Sequence, residues 1–129
     1  MLATLPDDLG ELPDGIMGTV KISYITYRHI ISRRAECAEW HVELVMHRMA
    51  GVIAAPTHIG RLGTTPNKIE LYKLADGDPC GVCVSLKCLH GETWVNTAFP
   101  LGGRSLQKHL RTGKLGTVEQ QQGSLFNNL

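Results

Sequence analysis

Hydrophobic and polar positions alternate along one part of the chain and recur at helical spacing along another. From Thr19 to Tyr24 the β-branched Val20 and Ile22 alternate with other residues, which predicts a strand. Thr26–Arg34 reads as a short helix. Val42, Val45, Met46, Met49, Val52 and Ile53 fall at helical spacing, so the best-defined helix is expected over Ala38–Ala54, stopped by Pro56. His58–Thr65, around Gly60 and Gly63, reads as a loop. Three strand-like runs follow: Lys68–Leu74, Gly81–Leu89 and Thr93–Phe99. The first ends at an Asp76-Gly77-Asp78-Pro79 turn, the second at His90-Gly91 and the third at Pro100. Short polar connections between strands predict an antiparallel meander. Arg104–Arg111 reads as a short basic helix closed by Gly113.

This order predicts an α+β fold: N-terminal helices on an antiparallel sheet of about four strands, with a short basic helix near the C-terminal end. Residues 1–18, with Pro6, Pro13, Gly10, Gly15 and Gly18, read as an irregular acidic arm. Residues 19–116 read as one domain, and the Gln- and Asn-rich 117–129 as a flexible tail. A length of 129 residues suits a single domain. With 43% hydrophobic but only 5% aromatic residues, its core must be mostly aliphatic. No apolar run approaches the roughly 18 residues of a membrane span. The first 18 residues lack a basic start, so a cytoplasmic protein with no membrane partner is expected, in a bacterial cell if the chain is phage-encoded or delivered there.

The net charge of +1 conceals a separation. Asp7, Asp8, Glu11 and Asp14 precede residue 19 without a single Lys or Arg. Residues 19–118 hold all 13 basic residues and seven acids, a net of +6. A basic body favours a polyanionic partner. The acidic arm would then either lie across the basic surface and compete with that partner or serve only as a solubilising tail.

Two separated segments carry candidate chemistry. Tyr27-Arg28-His29-Ile30-Ile31-Ser32-Arg33-Arg34 places an imidazole and a guanidinium four residues apart, on one face of a helix. Trp94-Val95-Asn96-Thr97-Ala98-Phe99-Pro100 puts a polar step inside an apolar strand. A histidine moves protons near neutral pH, and an arginine grips phosphate with a forked contact. That combination suits phosphodiester chemistry without a metal. In a regular strand Thr97 would share a face with Val95 and Phe99, and Asn96 would point the other way. Tyr72 and Lys73, on a neighbouring strand, would point to opposite faces.

"YRHIISRR", a helix, "APTHIG", "IELYK", an apolar strand, a turn, "WVNTAFPLGG" and "LQKHLRTGKLG" follow one another in an order that resembles the phage and polymorphic-toxin nucleases of the barnase–EndoU–colicin–RelE-like fold. The resemblance covers roughly residues 20–116 as element order. Its specific parts are the His-x-x-x-Arg helix and the Thr-Ala-aromatic-Pro strand end. It implies a toxin-like, metal-independent endoribonuclease without a cofactor, directed at RNA (often tRNA) and paired with an immunity or host protein. Carried over, His29 would be the general acid or base, Arg33 the ligand of the scissile phosphate, and the Thr97 hydroxyl a second contact to it. Arg28, Arg34, Tyr72, Lys73, Arg104 and Lys108 would bind substrate. The alternative is a non-catalytic phage-encoded binding or inhibitor protein on the same fold, acting on a host protein or nucleoprotein.

Other residues admit two readings. Cys80-Gly81-Val82-Cys83, with Cys88 and His90, has the composition of a zinc site. Strand phase opposes it, because Cys83 and Cys88 would face opposite ways. Free thiols, Cys37 among them, are the expected state. His58 reads as a solvated loop residue or a further member of the site. Arg104, Lys108, Arg111 and Lys114, with His109, read as a solvated helix face or a ramp for an RNA backbone. Trp40 and Trp94 suit core packing or base stacking.

Overall fold

The computed structural model describes residues 2–9, 12, 15–34, 42–63, 67–74 and 80–118; of 33, 34, 42–46 and 80 it describes the backbone alone. These residues form three helices and a seven-stranded mixed sheet. The elements are β1 (Ala3–Thr4), β2 (Thr19–Lys21), α1 (Tyr24–Arg34), α2 (Val42–Ala54), β3 (His58–Gly60), β4 (Lys68–Lys73), β5 (Cys80–Leu89), β6 (Glu92–Gly102), α3 (Gly103–Arg111) and β7 (Leu115–Thr117). Strand order across the sheet is β1-β2-β6-β5-β4-β3-β7. All neighbours are antiparallel except β2 and β6, which run parallel. The sheet is therefore larger than four strands, and mixed. The strands beyond the expected four are β1, β3 and β7, each two or three residues long and too short to show alternation in sequence.

Three local devices set the frame. Ser23 caps α1: its hydroxyl accepts the Thr26 amide N–H at 3.0 Å, satisfying one of the helix's unpaired first-turn donors. β5 and β6 join through the two-residue turn His90-Gly91, both at positive φ (53° and 75°), a conformation that glycine adopts without strain and that matches strand twist. β6 carries a bulge. Ser85 pairs with Thr97 and Leu86 with Val95, leaving Asn96 as the extra residue.

The sheet has two different faces. On one, Ile69 and Leu71 of β4, Val82, Val84 and Leu86 of β5, and Val95 and Ala98 of β6 share a buried cluster with Ile30 of α1 and Met49, Val52 and Ile53 of α2. Each such aliphatic side chain contributes about 1.5–3 kcal/mol on burial. On the other face, Tyr72, Cys83 and Leu101 pack with Leu106 of α3 and Leu115 of β7. Among the described residues α3 is the one helix on this second face, and it crosses only one end of it.

Residues 1–18 are not a loose arm over their described part. β1 pairs with β2, and Leu5, Leu9 and Ile16 are buried in the larger cluster. Asp7 and Asp8 are exposed, while Glu11 and Asp14 lie outside the described residues. β6 also runs through Pro100 to Gly102 rather than stopping there. Pro100 pairs with Val82 on its β5 side. β2 reaches only Trp94, so at Pro100 the opposite side of β6 is a sheet edge, where a missing N–H costs no ladder bond. The expected tail, 119–129, lies outside the described residues; Leu115–Thr117 before it is a strand.

Candidate functional site

The open part of the α3 face holds a cavity of about 330 Å³. Its walls are Leu62, Gly63, Lys68, Glu70, Ser85, Asn96, Thr97 and Phe99. Register explains the grouping. Glu70 of β4 is directly opposite Ser85 of β5, which is opposite Thr97 of β6, and directly opposed residues share a face. The bulge brings Asn96 into the same wall. In an unbulged strand Thr97 would share a face with Val95. The extra residue turns Val95 into the core while Thr97 keeps its face with Phe99, so the regular-strand expectation is corrected for Val95 and Asn96 and holds for Thr97 with Phe99.

Glu70 is the electrostatic centre of this cavity. It is a carboxyl set between Ile69 and Leu71 in the buried middle of β4, and it is 8% exposed. Oε1 accepts the Leu62 amide N–H at 3.2 Å, whereas Oε2 is buried without a hydrogen-bond partner among the described residues. Burial pushes its pKa above the ordinary carboxylate value, outweighing the backbone N–H groups of Leu62 and Gly63 and the charges of Lys68 and Arg61, which pull it down. A carboxyl tuned upward beside a lysine and two side-chain hydroxyls has the makings of a proton acceptor next to a phosphate site.

Of the residues singled out in the sequence, Thr97 alone lines this cavity. His29 does not join it. Ile30 is the α1 residue buried in the core, and one step along a helix turns the neighbouring side chain by about 100°. His29 is therefore exposed, on the side of the sheet carrying α1 and α2, and the sheet lies between it and Thr97. Arg28, on the same helix, is engaged locally: its Nη1 donates to the Tyr24 hydroxyl at 3.2 Å and its guanidinium lies 5.8 Å from that ring's centre. Arg33 and Arg34 are on α1, but their side chains lie outside the described residues. A cleft shared by His29 and Thr97 is not formed.

The remaining candidates divide between the faces. Tyr72 points to the α3 face but is 1% exposed beneath α3, with its hydroxyl donating to the Leu101 carbonyl at 3.4 Å, so it is structural. Lys73 shares strand phase with Ile69 and Leu71 and sits on the opposite face. Arg104 and Lys108 are exposed on α3, where with Gln107, Leu110 and Arg111 they line a shallow basic groove on the cavity's side of the sheet. His58 belongs to β3, not to a loop. Its ring meets Tyr72 edge-on at 5.5 Å, its Nδ1 is 2.8 Å from Thr57 Oγ1, and burial lowers its pKa. His109 on α3 has a lowered pKa, from burial first and then from Lys114 and Lys108.

The thiols are separated as strand phase requires. Cys83 is buried on the α3 face and Cys88 packs against the other cluster. Burial, with a smaller push from Glu70, drives the Cys83 thiol up to about 12, so it stays protonated. The side chain of Cys80, and Cys37 and Trp40 entirely, lie outside the described residues. Among the described residues no three His, Cys, Asp or Glu side chains come together as metal ligands, and no helix is long and apolar enough to cross a membrane.

Sequence reasoning missed Glu70, Lys68, Ser85, Asn96 and Phe99. One signal was available: Glu70 interrupts the apolar run Ile69-Glu70-Leu71-Tyr72, and a lone acid inside a buried strand is costly without a reason. No protein-family model, curated protein or solved structure matches the chain.

Proposed function

We propose that the chain is a metal-independent RNA endonuclease whose reaction centre is the Glu70 cavity rather than α1. The observation that carries this reading is the buried Glu70 carboxyl, with one oxygen unpartnered among the described residues, in a cavity that also presents Lys68 and Thr97. Ionised Glu70 takes the proton of a ribose 2′-hydroxyl. The 2′ oxygen bonds to the adjacent phosphorus, the bond to the 5′ oxygen breaks, and that oxygen takes a proton from a water, whose hydroxide is neutralised by the proton held on Glu70. Lys68 and the Thr97 hydroxyl hold the phosphoryl oxygens on which charge accumulates. The products are a 2′,3′-cyclic phosphate and a 5′-hydroxyl. The basic groove on α3 supplies salt-dependent attraction for the rest of the strand. The cavity gathers a single carboxylate and a lysine, a poor donor set for a divalent cation.

A second reading has its own observation. Tyr24 and Ile25, at the start of α1, are 70% and 81% exposed, an apolar surface on the side away from Glu70. This favours a non-catalytic binding protein acting on a host protein or nucleoprotein. One experiment separates the two. Purified protein is incubated with total RNA in EDTA, alongside Glu70→Gln. The endonuclease reading expects fragments ending in cyclic phosphate from the wild type and none from the variant. Intact RNA in both lanes leaves the binding protein.

A further inference from the structure

Beside the cavity, two lysines face each other. Lys68 of β4 is the direct cross-strand partner of Lys87 of β5, and Lys87 is directly opposite Trp94 of β6. Lys21 of β2 extends this row: it pairs with Trp94 in register, its Nζ lies 5.9 Å from the indole centre, and it forms an ion pair with Glu92. Like charges directly opposed on adjacent strands are destabilising. Glu70 offsets Lys68. Nothing comparable offsets Lys87, which makes no ion pair or hydrogen bond with the described residues. Trp94 is half-buried and belongs to neither packed cluster among the described residues.

We propose that this row is a binding site for an unpaired nucleotide of single-stranded RNA, with its base stacked on Trp94 and its phosphate between Lys68 and Lys87. The choice of RNA rests on the endonuclease reading, and the row deepens it by naming the form of substrate. A base can lie flat on an aromatic ring only when it has left a duplex stack, so Trp94 selects single strands. The lysine pair answers the phosphate, whose charge removes the repulsion between them. Strand register sets the row next to the one holding Glu70, Ser85 and Thr97, so a nucleotide held here delivers its neighbour to the cavity. Phe99, on the far side of the Asn96–Thr97 bulge and on the same face, offers that neighbour a second apolar surface. An acidic peptide would also satisfy the lysines, but it has no use for the part-exposed face of the indole.

The test uses an eight-nucleotide 2′-deoxy strand, which lacks the attacking hydroxyl and cannot be cut by this chemistry. The chain has two tryptophans, so Trp40→Phe leaves Trp94 as the reporter. The strand is expected to quench Trp94 fluorescence and to bind more tightly than the same sequence as a duplex. Trp94→Leu should weaken binding about 5- to 150-fold, the usual effect of losing one stacked base. Lys87→Ala, at a partly exposed position, should weaken binding and reduce the slope of log affinity against log salt by about 0.7, the loss of one phosphate contact on a single strand.

The proposal is overturned if the bound strand leaves Trp94 unquenched, if Lys87→Ala binds with unchanged affinity and salt slope, or if poly-glutamate quenches Trp94 as strongly as the strand does. Cleavage is scored separately. Wild-type protein that cuts RNA while Trp94→Leu and Lys87→Ala bind normally sinks the row and spares the endonuclease. Quenching and weakened variants without any cleavage by the wild type do the reverse.

Discussion

The Thr93 hydroxyl accepts the Met17 amide N–H at 3.0 Å, joining positions 76 residues apart. The same oxygen lies 3.1 Å from the Gly15 carbonyl and 3.2 Å from that of Met17, so its one proton is also used. Thr93 is 2% exposed. Thr93→Val keeps the shape and removes both roles, leaving the part-exposed Met17 N–H and Gly15 carbonyl to find other partners. The expected loss is about 0.5–1.5 kcal/mol, read as a lower urea midpoint with an unchanged slope.

Glu70→Gln should separate activity from stability. The carboxyl's pKa is raised in the folded chain, so its contribution to stability is fully present below the unfolded carboxylate value and is lost as pH rises through the folded one. Glutamine has no such dependence. The variant is expected to gain on the wild type as pH rises above the ordinary carboxylate range in chemical denaturation, while losing RNA cleavage. In the wild type, cleavage should rise with pH as Glu70 ionises, with its midpoint above the usual carboxylate range. A stability difference independent of pH would sink the burial argument.

Thr97→Val should lower cleavage about 10²-fold, the typical effect of removing one preorganised donor to a developing oxyanion. Thr97→Ser should recover most of it. Equal rates for the valine and serine variants would remove the hydroxyl from the mechanism.

His29→Ala should cleave RNA at the wild-type rate and change stability by no more than about 0.5 kcal/mol, as expected for an exposed helix position. A large loss of cleavage would return the chemistry to α1 and displace Glu70.

Gly81 lies against the Tyr72 ring, and a Cβ there would come 2.6 Å from Cε2. Both positions are buried, so neither the ring nor the strand can withdraw freely. Gly81→Ala should cost about 1–3 kcal/mol through overpacking. The measurement is again the urea midpoint, and a wild-type value would mean that the α3 face is looser than described.

The long elements were legible because each shows a period. Ile69 and Leu71, and then Val82, Val84 and Leu86, mark one face of the central strands, and Leu106 and Leu110 mark the buried side of α3. β1, β3 and β7 were not legible, because two or three residues cannot display alternation. The site failed for a different reason. A strand's faces are read by counting in twos, and the bulge at Asn96 adds one residue to the count. The same count that reads Cys83 and Cys88 correctly on β5, and Thr97 with Phe99 on β6, misassigns Val95 and Asn96. His29 and Arg33 share a spacing, but spacing does not say which side of the sheet a helix occupies.

The parallel pairing of β2 with β6 has a consequence for how the chain reaches its native state. β2 can pair with β1 early, but its other side finds a partner only once residues 93–94 exist and β6 has turned back on β5. During synthesis, at about 5–20 residues per second, that interval is on the order of 4–15 s. Throughout it Leu5, Leu9 and Val20, all buried in the finished core, lack the β6 side of that core. The β5–β6 hairpin is joined by a two-residue turn, whereas the β2–β6 pairing joins residues more than 70 apart in sequence. The window in which this chain is most open to misassociation is therefore set by the position of Thr93 and Trp94 in the sequence.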